Sequence, residues 1–173
     1  MAELTAKDRL QPALLDRLTD DAPSSPFEAR ERRVVSARQL RRSVLRDLSN
    51  LLNATRLPHG DARHRNGGPA GTCSVLNYGL PDFTGKALSN LDSDEMSDWI
   101  AHAIRSFEPR IVSDSVRVRA LPHEKRTRPT AMAFLIEGDL WMQPYPERLY
   151  FRTELDLEDG DVSVRGLDGS STP

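Results

Sequence analysis

The apolar positions of this chain change their period part-way along. Up to about residue 107 they recur three and four apart, as on one face of a helix. Beyond residue 114 they alternate, as on one face of a strand. The clearest helical stretch is 36–56, where Leu40, Val44, Leu48, Leu51 and Leu52 share a face. Ser36 and Gln39 have capping-box spacing, Val35 and Leu40 are placed as a hydrophobic staple, and Leu57-Pro58 ends the helix. The second helix is 92–107, capped by Asp92 with Glu95 three residues on. Its stripe is Met96, Ile100, Ala103, Ile104 and Phe107, flanked by Trp99, with His102 on the solvent side. A shorter stripe of Leu10, Leu14, Leu15 and Leu18 predicts a short helix near the start, a recognition element or a frayed arm.

The second half predicts strands. Val116, Val118 and Ala120 alternate with Arg117 and Arg119. Met132, Phe134, Ile136, Leu140 and Met142 share one parity over 130–142, with Gly138 expected to mark a bulge. Leu149, Phe151, Thr153, Leu155 and Leu157 follow, then the turn signal Asp159-Gly160, and Val162 and Val164 begin a last strand. The expected fold is α+β: an N-terminal helical arm and two main helices packed on a small antiparallel sheet of three to four strands. The expected organisation is an arm with its linker (1–35), one domain (36–166) and a polar tail (167–173). Glu154, Asp156, Glu158, Asp159 and Asp161 make the last hairpin acidic. It reads as an edge that repels its own kind and accepts a partner strand, with Glu154 and Asp156 in the contact.

Where the period changes, the chain reads Ser106-Phe107-Glu108-Pro109-Arg110. Pro109 cannot continue the helix and pushes Glu108 toward extended backbone. Two opposite charges therefore sit on a stiff corner: a plain turn, an acid–base site, or a docking point with Glu108, Pro109 and Arg110 presented outward.

Composition narrows these readings. At 173 residues and 38% hydrophobic, the chain suits one domain with a modest core. It holds no apolar run long enough to cross a membrane, its first residues lack signal-peptide order, and Cys73 is its single cysteine, so a cytoplasmic protein is expected. Charge is unevenly spread: residues 27–65 carry ten Arg against four acids, and residues 137–169 carry nine acids against three Arg. That polarity suits a part that docks at both ends. The basic helix lacks interleaved aromatics, so nucleic acid is not an expected partner. His59, Asp61 and His64 lie in the Gly-rich loop 58–72, too few ligands for a metal site, and Cys73 has no base near it in sequence. Residues 73–85 read as a packed connector, with Val75 and Leu76 as a short apolar patch. No metal, cofactor or small-molecule substrate is expected.

Five stretches carry a resemblance: LLDRLTDD (14–21), SVLRDLSNLLNATR (43–56), SVLNYGLPDFTG (74–85), WIAHAIRSFEPRI (99–111) and LYFRTELDLEDG (149–160). Together they resemble the lysozyme-like baseplate wedge family of type VI secretion systems (TssE) and its relatives in phage contractile tails. The likeness spans roughly residues 10–165, and its specific parts are the Asn-Tyr-Gly-Leu-Pro-Asp and Phe-Glu-Pro-Arg runs. It implies a non-enzymatic structural subunit in a cytoplasmic baseplate docked at the inner membrane. It also implies a fold similar to the strand-exchanging part of the sheath subunit. The implied partners are other wedge subunits and sheath subunits, with Glu108, Pro109 and Arg110 as the family's hallmark triplet. The loop 58–72 is long for this pattern.

Two other functions compete. A regulatory adaptor of the same fold would bind a single partner. A glycan hydrolase needs two carboxylates about one bond, one of them protonated. Glu108 is the obvious acid, but the nearby Arg110 favours its ionised form. Glu147 and Asp156 match part of a phage-lysozyme spacing, yet Val162 stands where that pattern needs Thr. An unbroken strand would also put the two acids on opposite faces.

Overall fold

A computed structural model describes residues 14–18, 36–56, 75–84, 91–122, 130–142 and 146–167. The helices are α1 (Leu14–Leu18), α2 (Ala37–Asn53) and α3 (Ser93–Phe107). The strands are β1 (Arg117–Ala120), β2 (Ala131–Leu140), β3 (Glu147–Asp156) and β4 (Val162–Leu167). They form one antiparallel sheet in the order β1-β2-β3-β4, so the expected α+β fold holds, with four strands among the described residues.

Local chemistry accounts for the helix starts. At α2 the Ser36 hydroxyl accepts from Gln39 N–H while the Gln39 side chain accepts from Ser36 N–H, the predicted reciprocal cap. Val35 of the expected staple lies outside the described residues, as do the loop 58–72 and Cys73. Asp92 caps α3 through Asp94 N–H rather than through a box with Glu95. Helix α2 stops at Asn53, earlier than Leu57-Pro58 suggested, because Ala54 and Thr55 turn extended to pair with another segment. Arg56 N–H donates to Leu80 C=O at 2.9 Å and Leu80 N–H to Ala54 C=O at 2.8 Å. Gly79 permits this approach: its φ is 107°, and a Cβ there would lie 2.0 Å from the Ala54 carbonyl oxygen. The connector is thus pinned to the end of α2, and Val75 within it is 83% exposed.

Both long helices lie on one sheet face. Leu40, Val44, Leu48, Leu51 and Leu52 of α2 join Met96, Ile100 and Ile104 of α3 over Met132, Phe134, Ile136, Leu149, Phe151 and Leu155. Each such side chain contributes about 1.5–3 kcal/mol by leaving water. On the opposite face, Glu137 pairs with Arg119 and Arg148, Asp139 with Arg148, and Glu154 with Arg152.

Two sequence expectations change here. Gly138 marks no bulge: β2 and β3 pair residue for residue from Ala131↔Asp156 to Leu140↔Glu147. Its missing side chain makes room for Ile111, whose Cγ2 would lie 2.7 Å from an added Cβ. Strand β4 runs through Leu167, one residue into the expected tail.

Candidate functional site

The corner after α3 is held from several sides. Glu108 N–H donates to Ile104 C=O at 2.9 Å, closing the helix, and Glu108 C=O accepts from Ile111 N–H at 3.2 Å, closing the turn around Pro109. The chain is then tied to the end of β2. Trp141 N–H donates to Arg110 C=O at 2.8 Å, Val112 N–H donates to Asp139 C=O at 2.9 Å, and Ile111 bridges Leu140.

The side chains within it are not presented outward as a pair. Glu108 is 4% exposed, so the expectation of an outward carboxylate is corrected. Its carboxylate accepts from Arg110 three times: backbone N–H at 3.1 Å, Nε at 2.7 Å and Nη2 at 2.5 Å. Arg110 Nη2 also donates to Asp47 Oδ2 at 2.6 Å. The physical reason is geometric. A guanidinium two residues past a helix end folds back on that carboxylate in a bidentate fork. Its remaining reach meets α2 at Asp47.

Asp47 passes the chain of charge on. Its Oδ1 accepts from Arg46 Nε at 2.9 Å. Arg46 Nη1 donates to Asp16 Oδ1 on α1 at 2.6 Å, and Ser43 Oγ donates to Asp16 Oδ2 at 2.9 Å. Burial alone would push Arg110 down, but the bonds and charges of Glu108 and Asp47 outweigh it and hold the guanidinium above its usual value. Arg46 is also held up, chiefly by its bonds to Asp47 and Asp16.

Tyr78, from the Asn-Tyr-Gly-Leu-Pro-Asp run, completes the cluster. Its ring meets Phe107 edge-on with centroids 5.3 Å apart. Desolvation pushes its hydroxyl up, and the charges of Asp47 and Glu108 add to the shift. The Gly79 contact with Ala54 fixes where Tyr78 stands, so the two specific sequence runs meet at one place. Beside them, Pro109 is exposed and Trp141 is 57% exposed.

The sequence singles out Glu108, Pro109 and Arg110 but not Asp47, which gives no signal beyond its position on α2 and joins them only in the fold. Glu154 and Asp156 are not brought to this corner and do not sit on an edge, since β3 is an inner strand. Glu154 pairs with Arg152. Asp156 is 7% exposed and accepts from Glu158 N–H at 3.0 Å, shaping the β3–β4 turn. The acids of this hairpin therefore lie on an inner strand and its turn, while β4 itself carries no acid.

This geometry suits holding elements together, not proton transfer. Glu108 is saturated by a guanidinium, and Glu147 and Asp156 stand at opposite parity on an unbroken strand. Among the described residues no group of three or more His, Cys, Asp or Glu is arranged to hold a metal. No helix among them is long and apolar enough to cross a membrane.

A family model described as baseplate wedge protein gp25 matches residues 38–145, more than half of the chain. The chain belongs to the gp25 baseplate wedge family. Neither a curated protein nor a solved structure gives a significant match. The family match runs from the first turn of α2 through the connector and the corner to just before β3. It therefore contains every member of the Glu108 cluster except Asp16. Membership in the gp25 family supports a structural role in a baseplate alongside other baseplate subunits.

Proposed function

We propose that this gp25-family protein is a wedge subunit of a type VI secretion baseplate, where it contacts other wedge subunits and helps start polymerisation of the contractile sheath. The observation that carries the reading is the family match across an unbroken Glu-Pro-Arg corner. Its site is cytoplasmic, on a baseplate docked at the inner membrane. The protein needs no cofactor, nucleic acid or small-molecule substrate, and it turns over no glycan.

The corner's role differs from that of an outward charge pair. Glu108 and Asp47 hold Arg110 in place. A partner then reads Pro109, the accessible rim of Arg110 and the adjacent Trp141. Glu154 contributes only through the charged outer face of the sheet.

The test separates docking from folding. Arg110→Lys keeps the charge but loses the fork. With Pro109→Ala, which alters only an exposed turn residue, it is expected to leave a folded subunit. Both variants should recover fewer wedge and sheath subunits by co-purification from cells and support fewer sheaths. Sheath numbers unchanged in both variants would sink the docking role. Peptidoglycan turnover by the purified protein, abolished by Glu108→Gln, would overturn the structural reading.

A further inference from the structure

One row of arginines on α2 is only partly matched by the fold. Arg38, Arg42 and Arg46 recur four residues apart, so they stand one above another on the flank of α2 turned away from its leucine stripe. Arg38 and Arg42 are exposed. Among the described residues, neither side chain makes an ion pair or a hydrogen bond. Arg46 is the one member of the row that is engaged.

The Arg46 end of the row already holds a carboxylate from another element. Asp16 of α1 sets Oδ1 against Arg46 Nη1 at 2.6 Å and Oδ2 against the Ser43 hydroxyl at 2.9 Å. The same short helix turns Leu15 and Leu18 toward solvent, 49% and 74% exposed. What its described side chains bring to α2 is therefore an acid. The hold is slight, because the Arg46 side chain is 38% exposed and a charge pair so open to water contributes little. Nor is the seat filled. Arg46 Nη2 is buried without a partner among the described residues, and Arg42 stands open one turn away.

The spacing states what completes the row. Four residues of helix rise about 6 Å, so the three arginines span about 12 Å along the axis. That is longer than one small anion. Carboxylates four residues apart on a facing helix advance by the same step and meet Arg46, Arg42 and Arg38 in register. Helix α1 cannot do this, since it is five residues long and Asp16 is its only acid.

We propose that Ser43 and the row Arg46, Arg42 and Arg38 form a docking seat for an acidic helix of another protein, and that α1 fills the Arg46 end in the free subunit. The incoming helix displaces Asp16 and runs on over Arg42 and Arg38. Arg46 also bonds Asp47, and Asp47 bonds Arg110, so the seat lies one carboxylate away from the corner. The seat rests on the contacts of Asp16. Only the choice of a wedge subunit as the partner rests on the function proposed above.

The probe is an alanine-rich helical peptide with three glutamates four residues apart. Its control has the same composition with the glutamates spread around the helix. The full-length protein should bind the probe and not the control. Asp16→Ala vacates the seat and should tighten binding about fivefold, the effect of one half-exposed ion pair. Arg42→Gln alters an exposed side chain with no described partner and should weaken binding by about the same factor. Arg46→Gln should weaken it too, with a melting curve to check the fold. A nitroxide at Leu18→Cys, in protein carrying Cys73→Ser, should grow more mobile as the probe is added. Equal binding of the control, an unchanged affinity in Arg42→Gln, or no binding at saturating probe would each overturn the seat. An affinity unmoved by Asp16→Ala, or a label that stays fixed, would overturn the displacement of α1. Phosphatidylserine vesicles held through Arg42 against excess probe would name a lipid surface instead. Self-association of Asp16→Ala that the probe reverses would name a second copy; either result overturns the partner. If Arg42→Gln weakens the probe but recovers wedge subunits normally from cells, the partner is not a wedge subunit. If the probe binds as expected and the wild-type protein recovers no wedge or sheath subunit, the seat stands and the baseplate reading fails.

Discussion

The Glu108 corner and the β4 edge are opposites in how they use polar groups. At the corner, charges are dense and mostly spent within the subunit: Glu108, Arg110 and Asp47 bond one another, although Arg110 Nη1 is buried without a partner among the described residues. At the edge, charge is sparse, yet no described residue bonds the outward backbone donors and acceptors of Val164 and Gly166. A cluster of charges is therefore a poor guide to where a protein is open. What matters is which groups still have hydrogen bonds to give once the chain has folded.

This contrast can be broken most directly at Arg110. Arg110→Ala leaves Glu108 buried without its counter-charge, and we expect a loss of about 2–4 kcal/mol in urea unfolding. A loss under about 1 kcal/mol would mean that the corner is a surface turn after all. A change at the edge should be mild by comparison. Gly166→Ala brings a Cβ to 3.3 Å from the mobile end of Leu45, with no positive φ to oppose it, so stability should move by no more than about 1 kcal/mol. A loss as large as that at Arg110 would show that β4 is locked onto α2.

The smallest effect sharpens the corner itself. Tyr78 is held above its ordinary value by desolvation and then by Asp47 and Glu108. A folded-state value above the unfolded one, about 10, gives a contribution fully present below that pH and lost as pH rises through the folded value. Phenolate absorbance should therefore show Tyr78 titrating late. Tyr78→Phe should flatten the alkaline fall in melting temperature. An unaltered fall in Tyr78→Phe would remove Tyr78 from the cluster.

Much of the fold was legible along the chain. The Ser36–Gln39 box and the leucine stripe announce α2 because capping and amphipathicity are local. The same holds for α3 after Asp92 and for the alternating runs of β2 and β3. Gly138 misleads because a glycine in a strand serves a bulge or a close neighbour equally well, and Ile111 comes from another segment. The acidic hairpin misleads in the same way. Alternation shows which face a residue takes, but not whether its strand is an edge.

The sequence by itself determined the helices, the strands, the stiff break at Pro109 and the pairing of Glu108 with Arg110, since all depend on residues within a few positions of one another. Only the tertiary structure decided that Asp47 joins this pair, that Tyr78 stands beside it, that Asp156 is buried, and that the Asn53 side chain bonds the N–H and C=O of Val162 at the start of β4. Those facts depend on which distant segments meet. Burial and unmet hydrogen bonds are properties of that meeting, and no local pattern encodes them.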